Sequence, residues 1–595
     1  MKTRPVSSLP SQAIAAQLGR ILASREFARA ERMSRFLRYT VELALSGQAD
    51  EIKEYRVGVD VFDRKHDYDP RVDPIVRVEA RRLRDKLGAY YENNGREDDI
   101  VICFEKGSYA PVFRPRAAST DKVEAPAPAP RPRTIAVLPF SDLSPDGGNQ
   151  YFSDGLTEEL IHALTRVAGL RVVAWHSAAQ FRGEQPDIHT VAERLQVANV
   201  LTGSVRMSGT RLRVRAQLIE AASGAYQWSE TYDREVSDVF AIQEEIARAI
   251  VRTLRIELTT GGASESIARI GARAGGDIDG YELYLKGRYH WNKRTSEGLH
   301  RSLQFFEAAL ALDTRSALAQ AGISDAWNLL ADYSLTPPAD AMPAARAAAR
   351  RAIELDPGLA EAWTSLAFIR SLYDWEWPEA EDLYRRSIEL NPGYATAHFW
   401  YAVDYLAMLG RHEEAMESMN RALELDPLSM AIRTGKGSLY IFRGEYDSAL
   451  EYFTEMIAST PEHHRPWSSL GRVWERKGCY DRALECLERA RTLSGDVPNV
   501  VSAIGQVQAV AGRHGESREM LGVLHRLAGE RTVHSTGFAL IHMALGETEE
   551  ALKWLETGCD RRELALCSLR VHPLYDSLRG EDRFQQVLRR IWRDL

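Results

Sequence analysis

Residues 73–113 read DPIVRVEARRLRDKLGAYYENNGREDDIVICFEKGSYAPVF, and this stretch predicts a helix followed by a hairpin. Asp73 can accept hydrogen bonds from the free amides of a first helical turn, and Pro74 suits the first helical position because proline has no N–H to satisfy. Apolar side chains then recur at steps of three and four residues, which places them in one stripe along the helix. That stripe consists of Val76, Ala80, Leu83, Leu87 and Tyr90.

The basic residues of this stretch lie outside the apolar stripe and are candidates for contacts with DNA phosphates and base edges. Two apolar runs flank residues 105–108 and predict a two-stranded hairpin. Residues 1–115 carry a net positive charge, whereas the whole chain has a formal net charge of −8. A solvated helix face shows the same pattern, so both interpretations remain open at this point. The candidate DNA-binding residues are Arg77, Arg81, Arg82, Arg84, Lys86 and Lys106.

A helix followed by a hairpin forms the second half of a winged helix, and the residues here resemble one family in particular. The output domain of OmpR-type bacterial response regulators is similar to residues 73–113. This resemblance implies that residues 1–115 form a winged-helix-like DNA-binding domain, with residues 11–62 as supporting helices. The resemblance rests on Val78, Arg82, Leu83, Arg84, Lys86 and Leu87 in the helix, and on Gly107 and Tyr109 in the hairpin.

Length and composition indicate a multi-domain protein of the cytoplasm. The 595 residues are 44% hydrophobic, which allows several separate cores. The five cysteines are never spaced C-x-x-C, so neither a disulfide framework nor a zinc site is expected. No signal-peptide core and no membrane-spanning apolar run occurs in the sequence.

A proline-rich and alanine-rich linker is predicted at residues 116–133, because alternating prolines favour an extended spacer. A small α/β domain then follows at residues 134–260. It begins with the buried-strand run TIAVLPF and a helix, and it ends with a three-stranded meander and another helix. In the middle strand of the meander, Arg211, Arg213 and Arg215 alternate with apolar residues, which is typical of a half-exposed antiparallel strand.

This second domain resembles the TolB amino-terminal-like domain of many bacterial regulatory proteins. The resemblance rests on AVLPFSDLSPDGGNQYFSDGLTEELIHAL, on VLTGSVRMSGTRLRVRAQLIEAASGAYQWSETYDRE and on VFAIQEEIA. It implies a sensing or protein-contact module without a known set of catalytic residues. Asp154 and Gly155 are predicted to lie just before a helix, where they would either cap it or cradle an anion.

Residues 281–563, after a linker at 261–280, form a repeat array. Prolines at positions 357, 392, 427 and 461 recur every 34 or 35 residues. At fixed offsets before each proline, a small residue would allow two helices to approach and a larger one would fill their seam. The seam residues are Ala345, Ala349, Ala352, Ala380, Tyr384, Ser387, Ala415, Met419, Ala422, Ala449, Phe453 and Met456, and later units repeat the pattern at Ala483, Leu487, Ala490, Ser517, Leu521, Ala551, Leu555 and Gly558.

With Trp363, Leu366 and Ala367 on one first helix, and Trp467, Leu470 and Gly471 on another, the array resembles tetratricopeptide repeats. About eight units are predicted, with capping helices at residues 564–595. The resemblance implies a groove for an extended peptide that carries a hydrophobic anchor and an acidic group. Phe368 and Phe399 would otherwise pack against neighbouring repeats. The groove positions are Thr364, Phe368, Phe399, Val403, Thr434, Ser438, Ser468 and Arg472.

Searches for a phosphate loop, an H-E-x-x-H helix and a G-x-S-x-G elbow all fail in this sequence. We therefore expect no enzymatic activity, no cofactor and no metal. The predicted fold is an α+β winged helix, a small α/β domain and an all-α solenoid. The predicted function is a cytoplasmic transcriptional regulator that binds double-stranded promoter DNA and a protein or peptide partner. The alternative is an interaction scaffold that does not bind DNA.

Overall fold

The computed structural model divides the chain into two compact units, Met1–Ala129 and Pro130–Leu595. The residues that it describes are 10–27, 30–62, 64, 75–92, 94–96, 98–104, 109–115, 133–145, 148–167, 169–183, 187–254 and 278–593. Both predicted linkers lie almost entirely outside these ranges.

In the described part of the first unit, four α-helices and two paired strands pack around a single core. The apolar stripe of the fourth helix is buried as its spacing predicts, with each of the five side chains at most 3% exposed. The two strands pair antiparallel, with Ile102 opposite Phe113. The elements are α1 (Ser11–Ala23), α2 (Glu31–Leu45), α3 (Glu54–Phe62), α4 (Ile75–Glu92), β1 (Ile100–Phe104) and β2 (Pro111–Pro115).

A polar network joins α1, the end of α4 and the start of the hairpin. The Asp98 carboxylate accepts hydrogen bonds from the Tyr90 hydroxyl and the Gln17 amide, both at 2.6 Å. Arg20 pairs with Asp98 at 3.1 Å. The Tyr91 hydroxyl accepts a hydrogen bond of 2.7 Å from the backbone N–H of Ile102. These bonds hold the hairpin against the helix that carries the basic residues.

The second unit begins with a mixed sheet in the strand order β5-β3-β6-β7-β8, with β4 beside β6. The parallel pairs join β3 to β5 and β6, and the meander β6-β7-β8 is antiparallel. Gly209 and Gly224 have positive φ angles and form the two turns of the meander. The elements are β3 (Arg133–Val137), β4 (Ser141–Asp142), α5 (Gln150–Thr165), β5 (Leu170–Val172), α6 (Trp175–Ala178), α7 (Ile188–Leu195), β6 (Asn199–Ser208), β7 (Arg211–Glu220), β8 (Tyr226–Glu235) and α8 (Val239–Thr253).

Eight antiparallel helix pairs follow within the described residues 278–593. The second pair has a longer connection, which contains Pro337. The pairs are α9 (Ile278–Asn292) with α10 (Ser296–Leu312), α11 (Ala317–Asp332) with α12 (Pro338–Leu355), α13 (Ala360–Ile369) with α14 (Trp377–Leu390), α15 (Ala395–Trp400) with α16 (His412–Leu425), α17 (Met430–Phe442) with α18 (Tyr446–Ser459), α19 (His464–Arg476) with α20 (Tyr480–Ser494), α21 (Pro498–Val510) with α22 (His514–Ala528), and α23 (Ser535–Ala544) with α24 (Thr548–Asp560).

The seam residues predicted for these pairs are all buried. Each repeat proline follows its helix by two residues, as with Leu390 before Pro392, so proline stops the helix as expected. Helices α13 and α15 each continue into a turn of π-helix, at Arg370–Asp374 and Tyr401–Leu406. The prediction of an all-helical repeat solenoid is confirmed.

The C-terminal segment packs back onto the middle of the array. The Trp377 indole donates a hydrogen bond of 2.8 Å to the carbonyl oxygen of Ile591 and stacks on Trp592. This segment contains 3₁₀ turns at Leu564–Ser568 and Pro573–Leu578 before α25 (Asp582–Ile591). None of the helices in the described ranges is both long and apolar enough to cross a membrane.

Candidate functional site

Two of the predicted DNA-binding side chains hold the first unit together. The Arg77 guanidinium pairs with Glu54 of α3 at 2.7 Å. The Lys86 ammonium donates a hydrogen bond of 2.7 Å to the backbone oxygen of Glu26 and lies over the Phe27 ring. Both side chains therefore tie α4 to other elements of its own unit.

Arg82 and Arg84 are more accessible. The Arg82 side chain is 62% exposed and contacts Glu79, one turn earlier on α4, at 2.9 Å. Arg84 is half-buried and makes no ion pair with a described residue. The Arg81 side chain and the whole of Lys106 lie outside the described part of the chain. The described structure thus leaves Arg82 and Arg84 as the accessible cations of this helix.

The α/β domain packs against the first helices of the array. First helices of successive pairs pack against each other, which makes them the inner layer. Helix α5 of the α/β domain lies along the first of them, α9. Gly155 approaches Leu285, and the Tyr151 hydroxyl donates a hydrogen bond of 2.7 Å to Glu282. Helix α5 therefore covers the start of the array, and its contacts lie before the positions predicted to bind a peptide.

A buried ion cluster joins α5 to the first three pairs. The Arg288 guanidinium lies between Glu158 on α5, at 3.1 Å from its Nε, and Asp325 on α11, at 3.4 Å from its Nη1. Asn292 donates a second hydrogen bond to Glu158 at 3.0 Å. The Ser365 hydroxyl donates a hydrogen bond to Asp325. Burial raises the pKa of Asp325 to about 6, although Arg288 opposes this shift.

Further contacts continue along the same face of α5. His162 pairs with Glu361 at 2.8 Å. Burial raises the pKa of Glu361, but His162 and Arg166 outweigh burial and hold that pKa well below its usual range. The Tyr284 hydroxyl donates a hydrogen bond of 3.3 Å to Glu159, whose own pKa is raised by burial. These contacts recur every three to four residues, so they use one helix face.

The segment after α5 contacts the turn between the fourth and fifth pairs. The backbone N–H of Ala174 donates a hydrogen bond of 2.8 Å to the carbonyl oxygen of Leu425. The Ser177 hydroxyl accepts one of 2.8 Å from the N–H of Leu428 and donates another to Asp426. The α/β domain is therefore fixed to the array through its backbone as well as its side chains.

The groove prediction is wrong for Thr364 and Phe368, because both are buried. Thr364 is fully buried and shares a hydrogen bond of 2.7 Å with Ser387 in the seam of its own pair. Phe368 is 2% exposed and packs on Trp400. Packing inside the array, rather than contact with a peptide, therefore accounts for the residues at these two positions.

The positions on later repeats are half-buried. Phe399 and Val403 pack against Gly435 of the next first helix, which is the alternative that the repeat spacing left open. Arg472 is already engaged, since its guanidinium pairs with Glu475 at 3.0 Å and also contacts Gln506. Its charge is therefore neutralised within the array, contrary to a role as a free cation.

Thr434, Ser438 and Ser468 are the remaining positions of the predicted groove, and all three are half-buried. The Ser438 hydroxyl donates a hydrogen bond of 3.2 Å to the backbone oxygen of Thr434. The Thr434 hydroxyl is buried and has no hydrogen-bond partner among the described residues. Like Phe399, Val403 and Arg472, these three positions on α17 and α19 retain some access to solvent.

The prediction for Asp154 and Gly155 is also wrong, because both lie inside α5 and not before it. Asp154 is buried and pairs with Arg182 at 2.7 Å. Gly155 is buried at the point where α5 approaches α9 most closely. The turn-forming residues that precede α5 end at Asn149. They led to the prediction that the helix starts after Gly155, whereas α5 starts at Gln150.

We expect Gly155→Ala to destabilise the second unit by about 1–3 kcal/mol, because the new Cβ would lie 2.5 Å from the Leu285 side chain. Gly522→Ala is the matched control. Gly522 lies in α22 with open space around it, so alanine there should stabilise the helix by about 0.5–1 kcal/mol. Urea unfolding of the full chain measures both changes. Equal effects of the two substitutions would contradict the close packing of α5 on α9.

Glu158 and Arg288 were not among the residues predicted from the sequence. A signal for them existed, since Tyr151, Gly155, Glu158 and His162 share one face of α5. Nothing in the sequence indicated that α9 covers this face. Among the described residues, no group of three or more histidine, cysteine, aspartate and glutamate side chains is arranged to hold a metal ion.

Two family models match parts of the second unit. The model described as HilA/YgeH-like transcriptional regulator, second domain, matches residues 131–258. A tetratricopeptide repeat model matches residues 375–429 and 434–498. A solved tetratricopeptide repeat protein from Parabacteroides merdae is 15% identical, with a TM-score of 0.31, over 53% of this chain and 99% of that one.

Two curated relatives are similar over longer stretches. A Rhizobium meliloti (strain 1021) protein, named as a candidate adenylate cyclase, is 34% identical over 270 residues, which are 45% of this chain and 43% of that protein. The transcriptional regulator HilA of Salmonella typhimurium is 23% identical over 338 residues, 56% of this chain and 58% of that protein. The chain thus spans about half the length of the curated relatives that it matches. It contains tetratricopeptide repeats and a domain similar to the second domain of HilA/YgeH-like transcriptional regulators.

Proposed function

We propose that this protein is a cytoplasmic transcriptional regulator that binds double-stranded DNA through its first unit. The observation that carries the proposal is α4, which buries one apolar stripe, exposes Arg82, leaves the half-buried Arg84 without an ion pair to a described residue, and is followed by a hairpin. That arrangement supports a winged helix of the OmpR type, with α4 as the helix that enters the major groove. The similarity of the second unit to a regulator domain supports the same function.

We further propose that residues 134–260 form a TolB-like domain and that the array binds a protein or peptide partner. The partner would contact the half-buried positions Ser438 and Ser468 and the surface around Thr434, since α5 covers the first helices of the earlier pairs. Partner binding would alter promoter occupancy. Replacing Ser438 and Ser468 together with tryptophan should abolish the regulatory response in a reporter strain while DNA affinity stays unchanged. An unaltered response would place partner binding elsewhere.

We also propose that the chain has no enzymatic activity, although one relative is named as a candidate adenylate cyclase. The sequence match covers 43% of that relative. We propose that the shared region is the regulatory part of that relative. Incubation of the purified protein with ATP and magnesium should yield no cyclic AMP. Steady conversion that survives repeated purification would show that the proposal is wrong.

Salt-dependent binding of the full chain to duplex DNA tests the main proposal. Each neutralised phosphate releases counterions, so the logarithm of affinity should fall with the logarithm of salt by about 0.9 per contact. A scaffold that binds only protein would show no duplex binding with this dependence. The measurement therefore separates the regulator from the scaffold alternative.

A further inference from the structure

The outward face of the meander in the second unit carries an array of arginines. Side chains on neighbouring strands point to the same side when their residues are paired, and pairing places Arg206 of β6 directly opposite Arg213 of β7. Arg211 and Arg215 lie two residues to either side of Arg213, about 7 Å away along the strand. All four side chains are exposed. We call Arg206, Arg211, Arg213 and Arg215 the arginine face.

The opposite side of these strands explains why the arginines point outward. Val205, Leu212, Val214 and Tyr232 are buried, so the strands are fixed by a core on one side and open to solvent on the other. The flanking positions Ser204, Ser208 and Thr231 are paired with members of the arginine face. An open depression of about 360 Å³ lies among Arg206, Ser208, Arg211, Arg213 and Asp233.

The positive charges of the arginine face are only partly balanced. Arg211 and Arg213 share a single carboxylate, since both contact Asp233. The side chains of Arg206 and Arg215 make no hydrogen bond or ion pair with a described residue. Like charges placed directly opposite each other on antiparallel strands destabilise a sheet. The pairing of Arg206 with Arg213 therefore destabilises the sheet when no anion is bound. An anion bound beside the two guanidinium groups would offset their repulsion.

We propose that the arginine face binds the phosphate backbone of double-stranded DNA. Arginine together with serine and threonine hydroxyls is the side-chain set that contacts phosphates in protein–DNA interfaces. The residues contact no base edge in this proposal, so binding is independent of sequence. The proposal rests on the proposed DNA-binding function for the identity of the ligand, and it adds a contact surface in a second unit.

An acidic protein segment is a less suitable ligand for this face. Protein interfaces depend on a few buried anchors, mostly aromatic side chains or arginine packed in a pocket. The cross-strand neighbours of the arginine face are Ser204, Ser208, Thr231, Asp233 and Glu235, and none of them is a large apolar side chain. The exposed Tyr226 of β8 lies at the other end of the meander, opposite Ile219. Protein–DNA interfaces are more polar and more positive than protein–protein interfaces, as this face is.

The test replaces Arg206 and Arg215 together with glutamine in the full chain, since both are exposed and neither supports the fold. Affinity for a short fluorescent duplex of arbitrary sequence is measured at several salt concentrations. Loss of two phosphate contacts should lower the slope of log affinity against log salt concentration by about 2. Between 50 and 200 mM salt, the factor by which affinity falls should therefore be roughly tenfold smaller for the variant than for the parent. Unchanged affinity and slope would overturn the proposal.

A control variant removes the same charge elsewhere. Arg526→Gln with Arg561→Gln changes two exposed arginines of the repeat array and should leave the slope unchanged. An equal effect of both variants would reflect net charge alone and overturn the proposal. If the arginine-face variant instead loses affinity only for polyglutamate, and not for the duplex, the ligand is an acidic protein segment and the proposal is wrong.

The same titration of Arg82→Gln with Arg84→Gln separates this inference from the proposed function. If only the arginine-face variant loses duplex affinity, the inference holds and the first unit is not the DNA reader. If only the Arg82 and Arg84 variant loses affinity, the first unit binds DNA and the arginine face does not. A parent chain that does not bind duplex DNA overturns both.

Discussion

Replacing Arg288 with alanine should lower the free energy of unfolding of the second unit by about 3–5 kcal/mol. The substitution removes the cation between Glu158 and Asp325 and leaves two carboxylates unpaired in a site that is largely closed to water. Urea unfolding of the full chain, followed by two spectroscopic probes, should show a lower midpoint. A loss below about 1 kcal/mol would mean that solvent screens this pair as it does surface pairs.

The loss should depend on pH in a defined direction. Burial already raises the pKa of Asp325 to about 6, and removal of Arg288 raises it further. An acid with a raised pKa in the folded state contributes stability at low pH that is lost as pH rises through that pKa. The penalty of Arg288→Ala should therefore be smaller at pH 5 than at pH 7.5. A penalty independent of pH would exclude Asp325 from the cluster.

Arg301→Ala provides the control for this prediction. Arg301 lies on α10, is 56% exposed and pairs with Glu297 one turn away. Exposed ion pairs of this kind contribute about 0.3–0.5 kcal/mol. Similar losses for Arg288→Ala and Arg301→Ala would mean that α5 is not held to the array by buried charge.

The helices and seams of this protein could be predicted from the sequence because burial there is periodic and local. Ala380 and Tyr384 lie in the helix that ends two residues before the repeat proline, Pro392, so a short stretch of sequence contains the whole pattern. The same holds for the stripe through Leu83 and Leu87. Each prediction requires only that one face of a helix packs against an apolar surface. The identity of that surface does not need to be known.

The groove could not be predicted in the same way, for two physical reasons. A shift of one residue turns a helical side chain by about 100°, so Thr364 contacts Ser387 in the seam whereas the next residue, Ser365, contacts Asp325 on the preceding first helix. The helix that covers the start of the array comes from a distant part of the chain, since Glu158 and Arg288 are 130 residues apart. Periodicity within either helix contains no information about that pairing.

Glutamine at both Arg82 and Arg84 should remove specific DNA binding while the first unit stays folded. Neither side chain ties α4 to another element of its unit, as Arg77 and Lys86 do, so their loss should not unfold it. Each good contact to a base edge contributes about 1–3 kcal/mol, so the pair should reduce affinity for a selected operator by at least tenfold. The operator is obtained by selection from a random duplex library with the parent protein.

The control is Arg32→Gln with Arg38→Gln, which removes two exposed arginines of α2 in the same unit. If α4 enters the major groove, the control should retain sequence discrimination, and at most its salt slope should change, because phosphate contacts carry no sequence information. The Arg82 and Arg84 variant should instead bind the operator and arbitrary DNA equally. Retained discrimination in a folded Arg82 and Arg84 variant would show that α4 does not read bases. The apolar stripe of α4 would then serve only the packing of its own unit. That result would favour the alternative, an interaction scaffold that does not bind DNA.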